Sequence, residues 1–239
     1  MLVRNWMSKD VITVNVNDPI IDAMKLLKHN DIGRLPVMQK GKMVGIVTDR
    51  DVKGASASDA VPFEVHELLY LLSKIKIDEI MSKNPITVPP DYTVEETADV
   101  FLENKISSTP VVDDQDQLVG IITQKDLFKA LISLTGKRNK GIEFAFKVED
   151  RPGSIKALTD IIRNYKGRLM SILSFNENVQ EGYRNVYIEV CRIDREKVSQ
   201  LKKKLREKGT MLYFVDKWQN EREIYKKRIP NSIWFSPLS

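Results

Sequence analysis

Apolar residues along this chain recur at two spacings, and these lay out most of its elements. Ile20, Ala23, Met24 and Leu27 form one helical stripe, and Val94, Ala98 and Phe101 form another. Asp18 is placed to cap the first helix, with Pro19 as its opening residue, and Thr93 with Glu96 makes a capping box for the second. Behind each helix come two short runs rich in β-branched residues, LPVM with MVGIVT and TPVV with LVGIIT, parted by the turn-forming stretches QKGK and DDQDQ. A helix follows each pair of strands, clearest where Leu127, Phe128, Leu131 and Leu134 repeat. The order strand, helix, strand, strand, helix is therefore expected twice.

The two copies correspond residue by residue. Met7 recurs as Met81, Thr13-Val14 as Thr87-Val88, Asn30 as Asn104, Ile32 as Ile106 and Pro36-Val37 as Pro110-Val111, all at an offset of 74. One extra residue in DDQDQ moves the offset to 75, which aligns Gly45 with Gly120, Thr48 with Thr123 and Asp51 with Asp126. A unit of about fifty residues has been duplicated.

Between the copies, GASASDA reads as a polar loop closed by Pro62, and Val65, Leu68, Leu69, Leu72 and Ile75 read as the stripe of a linking helix. After the linker TGKRNKG the rhythm changes. Ile142, Phe144, Phe146 and Val148 alternate as in a half-buried strand, and Ile155, Leu158, Ile161, Ile162 and Tyr165 face inward on the helix that follows. LMSILSF and NVYIEVC give the next two strands, EKVSQLKKKLREKG a helix with Val198, Leu201 and Leu205 inward, and TMLYFVDKW a fourth strand. This βαββαβ order is a ferredoxin-like layout.

Composition adds limits to this picture. With 239 residues, 42% of them hydrophobic, the chain has room for more than one core. A single cysteine, Cys191, cannot form an internal disulfide, the N-terminal residues lack a signal-peptide core, and no apolar run reaches bilayer-spanning length. A soluble, cytoplasmic protein with no membrane partner is expected. From Arg195 to Arg228 there are 12 Lys/Arg against 5 Asp/Glu, although the whole chain carries only +5, so the positive charge is concentrated near the C-terminal end. That charge fits the outer face of an amphipathic helix, and no nucleic-acid reader motif stands beside it.

The repeated threonine falls where a strand becomes a helix, so the unpaired N–H groups of the first helical turn point outward beside it and form a phosphate-binding geometry. The aspartate three places on lies in the same turn and is able to accept ribose hydroxyls. T-x-x-D is also close to a capping box, and a purely structural role for Thr48, Asp51, Thr123 and Asp126 stands beside the ligand-binding one.

Duplication of the whole unit favours the ligand-binding reading. GIVTDRD and GIITQKD, in this setting, resemble the ribose-phosphate signature of tandem cystathionine-β-synthase (CBS) domains, a regulatory module that binds adenosine-containing ligands between two such units. The resemblance implies that Thr48 and Thr123 contact phosphate, that Asp51 and Asp126 hold ribose, and that adenine lies near Thr13 or Thr87 and the approach to Pro36 or Pro110. Arg34 and Arg50 would offer the first copy two guanidinium groups, where the second has Ser108 and Lys125. At least one site is expected to prefer a phosphorylated ligand: AMP, ADP, ATP or another adenosyl compound. The LLYLLSK helix between CBS units also resembles the acetoin-utilisation accessory-protein family.

DRPGSI at the first strand-to-helix turn of the last unit resembles an ACT domain, an amino-acid-sensing module, over roughly Ile142 to Lys217. The resemblance implies that Asp150, Pro152, Gly153, Ser154 and Ile155 surround a bound amino acid, with the helix N-terminus receiving its carboxylate. The same residues also suit a plain capped turn.

The expected fold class is α+β, with boundaries at 1–60 for the first CBS unit, 61–76 for the linking helix, 77–136 for the second CBS unit, 137–141 for a linker, 142–218 for the ACT unit and 219–239 for a tail. Two histidines, His29 and His66, and one cysteine provide no usual zinc spacing, and no phosphate-binding glycine loop occurs. The expectation is a regulatory ligand-sensing homodimer, not an enzyme, that needs no cofactor and binds an adenosine nucleotide, with an amino acid as a candidate second ligand. A dimerisation adaptor with vestigial sites and a nucleic-acid-binding regulator are the alternatives. Ile233, Trp234 and Phe235 would make the tail either a partner-binding peptide or a plain flexible end.

Overall fold

The computed structural model describes residues 1–57, 70–136 and 140–225. The chain divides into two compact units, Met1–Ala130 and Leu131–Ser239. Val65, His66, Leu68 and Leu69 of the expected linking helix, most of the linker after Gly136, and Ile233, Trp234 and Phe235 of the tail lie outside the described residues.

In the first unit β1 (Val14–Asn15), α1 (Ile20–His29), β2 (Arg34–Gln39), β3 (Lys42–Thr48) and α2 (Asp49–Ala57) make one copy. A short helix α3 (Ile77–Ile80) and β4 (Ser82–Lys83) lead into α4 (Val94–Asn104), β5 (Ser108–Val112), β6 (Leu118–Thr123) and α5 (Gln124–Leu134). The β2–β3 hairpin turns through Lys40 and Gly41, both at positive φ, whose twist suits a tight hairpin. In the β5–β6 hairpin, Asp113 Oδ1 instead accepts from the N–H groups of Gln115 and Gln117, both at 2.9 Å, which accommodates the extra residue that shifts the repeat.

The copies exchange their lead-in segments. The first sheet runs β1-β2-β3-β4, and its last strand, Ser82–Lys83, belongs to the approach to the second copy. Conversely Ser8 bridges Ile121 on β6, and Val3 N–H donates to Tyr92 O at 2.8 Å. Two cores follow from this exchange: Ile20, Leu35, Val37 and Val47 enclose Ile77, whereas Val88, Phe101, Val111 and Ile122 enclose Val3. The repeated glycines make the exchange possible. A Cβ on Gly45 would stand 2.6 Å from Met81 Sδ, and one on Gly120 would stand 2.5 Å from Met7 Sδ. The glycine of each copy thus receives the methionine that precedes the other.

Local expectations meet three corrections here. Asp18 does not cap α1: its Oδ2 accepts from Asn15 N–H at 2.7 Å, closing the preceding turn, while Pro19 occupies the cap position without a side-chain bond. Ile75 lies past the helical residues 70–72, in an extended stretch whose carbonyl accepts from Ile20 N–H. On α5, Phe128 and Leu131 are each 54% exposed, because the helix is rotated to bury Asp126 and Ala130 instead. The Thr93–Glu96 capping box is present, with Thr93 N–H donating to Glu96 Oε2 at 2.7 Å and Glu96 N–H donating to Thr93 Oγ1 at 3.1 Å.

The second unit contains β7 (Ile142–Glu149), α6 (Ser154–Asn164), β8 (Arg168–Phe175), β9 (Tyr183–Cys191), α7 (Val198–Arg206), β10 (Thr210–Asp216) and β11 (Glu221–Ile224). Its sheet is antiparallel throughout, in the order β11-β10-β7-β9-β8. Without β11 this is the ferredoxin-like arrangement; β11, inside the expected tail, adds a fifth strand. Phe144, Phe146, Val186 and Ile188 pack with Leu158, Ile162, Leu201 and Leu205, so both helices cover one sheet face. On the other face Glu189, its side chain only 1% exposed, accepts from Lys217 Nζ at 2.6 Å, and Lys217 also lies 3.1 Å from Glu143. Burial pushes the Glu189 carboxyl up and Lys217 restores only part of the shift.

Candidate functional site

Thr48 and Thr123 each end a strand, and the residues that follow open α2 and α5. The corners are tied down alike: Asp49 N–H donates to Gly33 O at 3.0 Å, and Gln124 N–H donates to Ser107 O at 2.8 Å. Within the first corner Asp51 Oδ2 accepts from Thr48 N–H at 2.8 Å and from Thr48 Oγ1 at 2.7 Å. Asp126 Oδ2 does the same with Thr123, at 3.1 Å and 2.7 Å. One oxygen of each carboxylate therefore serves as the helix cap that the T-x-x-D spacing suggested. Capping does not use the other oxygen, so helix start and ligand contact are compatible roles for one aspartate.

The second oxygens differ. Asp126 Oδ1 accepts from Lys129 Nζ at 2.7 Å, one turn along α5, and the aspartate side chain is 7% exposed. Burial pushes the Asp126 carboxyl up, but the Lys129 ammonium and the Thr123 hydroxyl and N–H outweigh it, leaving the carboxyl below its ordinary value. Position 54 stands where Lys129 stands in the repeat, and there the residue is glycine. Lys53 pairs with Asp49 at 2.5 Å, and among the described residues no lysine or arginine closes on Asp51.

The two corners are linked across the copies. Arg34 opens β2 opposite Thr48, and Ser108 opens β5 opposite Thr123. Arg34 then crosses to the second copy, its Nη1 donating to Ser108 O at 3.0 Å and its Nη2 to Ser107 Oγ at 2.9 Å. Burial pushes its guanidinium below the usual value. Arg34 thus braces one strand opening against the other. Ser108 Oγ is buried without a hydrogen-bond partner among the described residues, while Arg50 and Lys125 are exposed on the first turns of their helices. Thr13 precedes the parallel pair Val14–Val37, and Thr87 precedes the matching pair Val88–Val111, which sets each threonine level with Pro36 or Pro110.

In the second unit a cavity of 750 Å³ is lined by Pro152, Gly153 and Ser154 at the start of α6, with Lys147, Arg151 and Arg206 around it. Gly153, at φ +90, takes a backbone conformation that favours glycine, and no side chain caps the helix. Asp150 and Ile155 do not line this cavity. The Asp150 carboxylate instead lies 2.8 Å from Arg184 Nε, an ion pair poorly aligned for a hydrogen bond, and Ile155 packs on the core.

Lys129 and Ser107 escaped the reading of the sequence. Carrying the offset of 75 one turn past the aspartates would have set Lys129 against Gly54 and exposed the difference. Among the described residues no group of three or more His, Cys, Asp or Glu is placed to hold a metal ion, and no helix is long and apolar enough to cross a membrane.

The sequence profile of the CBS domain matches residues 3–58 and 77–133. A CBS domain-containing protein of Dictyostelium discoideum is 35% identical over 135 residues, which are 56% of this chain and 93% of that protein. An inosine-5'-monophosphate dehydrogenase of Korarchaeum cryptofilum is 35% identical over 125 residues, 52% of this chain, but the match spans only 23% of that enzyme. Among solved structures, a proposed acetoin utilization protein from Vibrio cholerae is 28% identical with a TM-score of 0.49, covering 58% of this chain and 95% of that one. A CBS domain pair in complex with 5'-methylthioadenosine and S-adenosyl-L-methionine is 35% identical with a TM-score of 0.47, covering 55% of this chain and 99% of that one. The profile falls on the two copies that carry the Thr/Asp corners, and the chain belongs to the CBS-domain family as a protein with two such domains in tandem.

Proposed function

We propose that this protein is a non-enzymatic regulator that binds an adenosine nucleotide in its CBS pair. In this reading Thr48 and Thr123 face phosphate, Asp51 and Asp126 face ribose, and adenine lies by Thr13 or Thr87, with Arg50 and Lys125 at the rim. The observation that supports it is the duplicated corner: a threonine ending a strand, a carboxylate in the next helical turn with one oxygen used for capping, and Arg34 bracing the two strand openings together. A ligand that binds such a pair differently in two relative arrangements of the copies shifts their populations, which is how binding becomes a signal.

The C-terminal unit is an ACT-like module in this proposal. The carboxylate of an amino acid would enter the cavity at Gly153 and Ser154, where the uncapped helix start and nearby cations favour an anion. Asp150, held by Arg184, positions the turn. The boundaries 1–60, 77–136 and 142–218, a cytoplasmic homodimer and a role in acetoin utilisation belong to the same proposal. A thermal-shift series with AMP, ADP, ATP and S-adenosylmethionine, followed by the amino acids, tests it, because a ligand selective for the native state raises Tm. A rise with at least one adenosine compound is expected, and no rise with any of them at millimolar concentration would count against the reading.

A further inference from the structure

We infer that the two CBS corners are unequal because the second is occupied by the protein's own lysine: Lys129 stands in for the ligand at Asp126, and the open ribose site is Asp51. The inference rests on the proposed nucleotide reading and adds which copy binds and what decides it. A ribose presents two hydroxyl donors, and the capping bonds leave each aspartate one oxygen to receive them. In the second copy that oxygen already accepts from the Lys129 ammonium at 2.7 Å. That bond joins two ions, whereas a hydroxyl would be a neutral donor to the same carboxylate, so a ribose would have to displace a charged donor with an uncharged one. In the first copy the helix reaches the same place with Gly54, which carries no side chain to reach Asp51, and among the described residues nothing lies within 4 Å of a Cβ built there.

The neighbouring cations agree with this assignment. Lys53 is drawn away to Asp49, and Arg34 is spent on Ser108 O and Ser107 Oγ, so neither competes for Asp51. Arg50, exposed on the first turn of α2 and next to Asp51 in sequence, would supply a cation for the phosphate that follows the ribose. Lys129 is half-exposed, so a variant there removes little packing.

Equilibrium dialysis of the full chain with AMP, and separately with ATP, decides the matter through stoichiometry. Wild type is expected to bind one nucleotide per chain, Lys129→Met two, and Gly54→Lys about tenfold or more weakly than wild type. The glycine variant needs no residue of the second corner, so it keeps the test intact should Lys129→Met fold poorly. Two equal sites in wild type would overturn the inference. So would a stoichiometry unchanged by Lys129→Met, or weaker binding in that variant, which would make Lys129 a phosphate contact. If neither nucleotide, nor ADP or S-adenosylmethionine dialysed in the same way, binds wild type or Lys129→Met, the nucleotide reading itself fails; if wild type binds one and both variants behave like it, only the role of Lys129 does.

Discussion

Replacing Gly120 with alanine probes the exchanged lead-in directly. The new methyl would stand 2.5 Å from Met7 Sδ, 2.9 Å from Met7 Cγ and 3.1 Å from Ser8 O. The thioether is able to swing aside, but Ser8 O is fixed by accepting from Ile121 N–H at 3.0 Å, so part of the strain falls on backbone pairing. Overpacking of this kind costs about 1–3 kcal/mol. Met7→Ala alone, at a half-buried site, should cost about 1–2 kcal/mol, less than truncation in a closed core. In the double variant the small residues face each other, so its cost should fall below the sum by about 0.5–3 kcal/mol. Urea unfolding followed by Trp6, which packs on the second core, isolates the relevant unit when Trp218 and Trp234 are changed to phenylalanine. A neutral Gly120→Ala, or costs that add within about 0.5 kcal/mol, would refute the exchange.

Three further outcomes follow from individual contacts. Arg34→Met, which keeps the apolar stem, should destabilise the CBS pair by about 1 kcal/mol in urea unfolding, and Arg34→Lys should not restore it because one ammonium cannot reproduce the forked contact to Ser108 and Ser107. Asp126 has a lowered folded pKa, so its contribution is complete above the ordinary carboxylate value and is lost as pH falls through the folded one; the stability gap between wild type and Asp126→Asn should therefore narrow on titration from about pH 7 to about pH 3. Glu189 has a raised folded pKa, so Lys217→Met, which leaves it buried and unpaired, should cost about 3 kcal/mol near neutral pH and progressively less as acidification protonates the carboxyl, as urea titrations at neutral and acidic pH would show.

What the residue pattern disclosed was mostly local or repeated. The Thr93–Glu96 box, the strands either side of Lys40 and Gly41, and the alternation of Ile142, Phe144 and Phe146 are set by neighbours within a few residues, and the structure contains them. The placement of Thr48 with Asp51 and Thr123 with Asp126 at strand-to-helix corners was legible because the chain writes it twice. Packing between distant segments was not. Nothing near Gly120 announces Met7, and Asp18 looks like a cap until the Asn15 N–H takes its side chain. Leu131 and Phe128 keep helical spacing, yet spacing alone does not say which face turns inward, and the buried Asp126 decided it. Strand β11 contains only one apolar residue, Ile224, and forms by pairing with β10, which no period within EREI reveals.

The central claim is that the corner aspartates recognise a nucleotide and do not merely start helices. Replacing both Asp51 and Asp126 with asparagine separates the roles, because an asparagine oxygen can still accept from the Thr48 and Thr123 N–H groups, as the capping-box position requires, while the negative charge is lost. Titration calorimetry of AMP, ADP and ATP into wild type and this variant, with urea unfolding as the control, is the measurement. The account predicts a stability cost of no more than about 1 kcal/mol, from the Lys129 pair lost at Asp126, and binding weakened about ten- to a hundredfold, the loss of one charge-assisted contact. Wild-type affinity in the variant, for whichever nucleotide wild type binds, would contradict it.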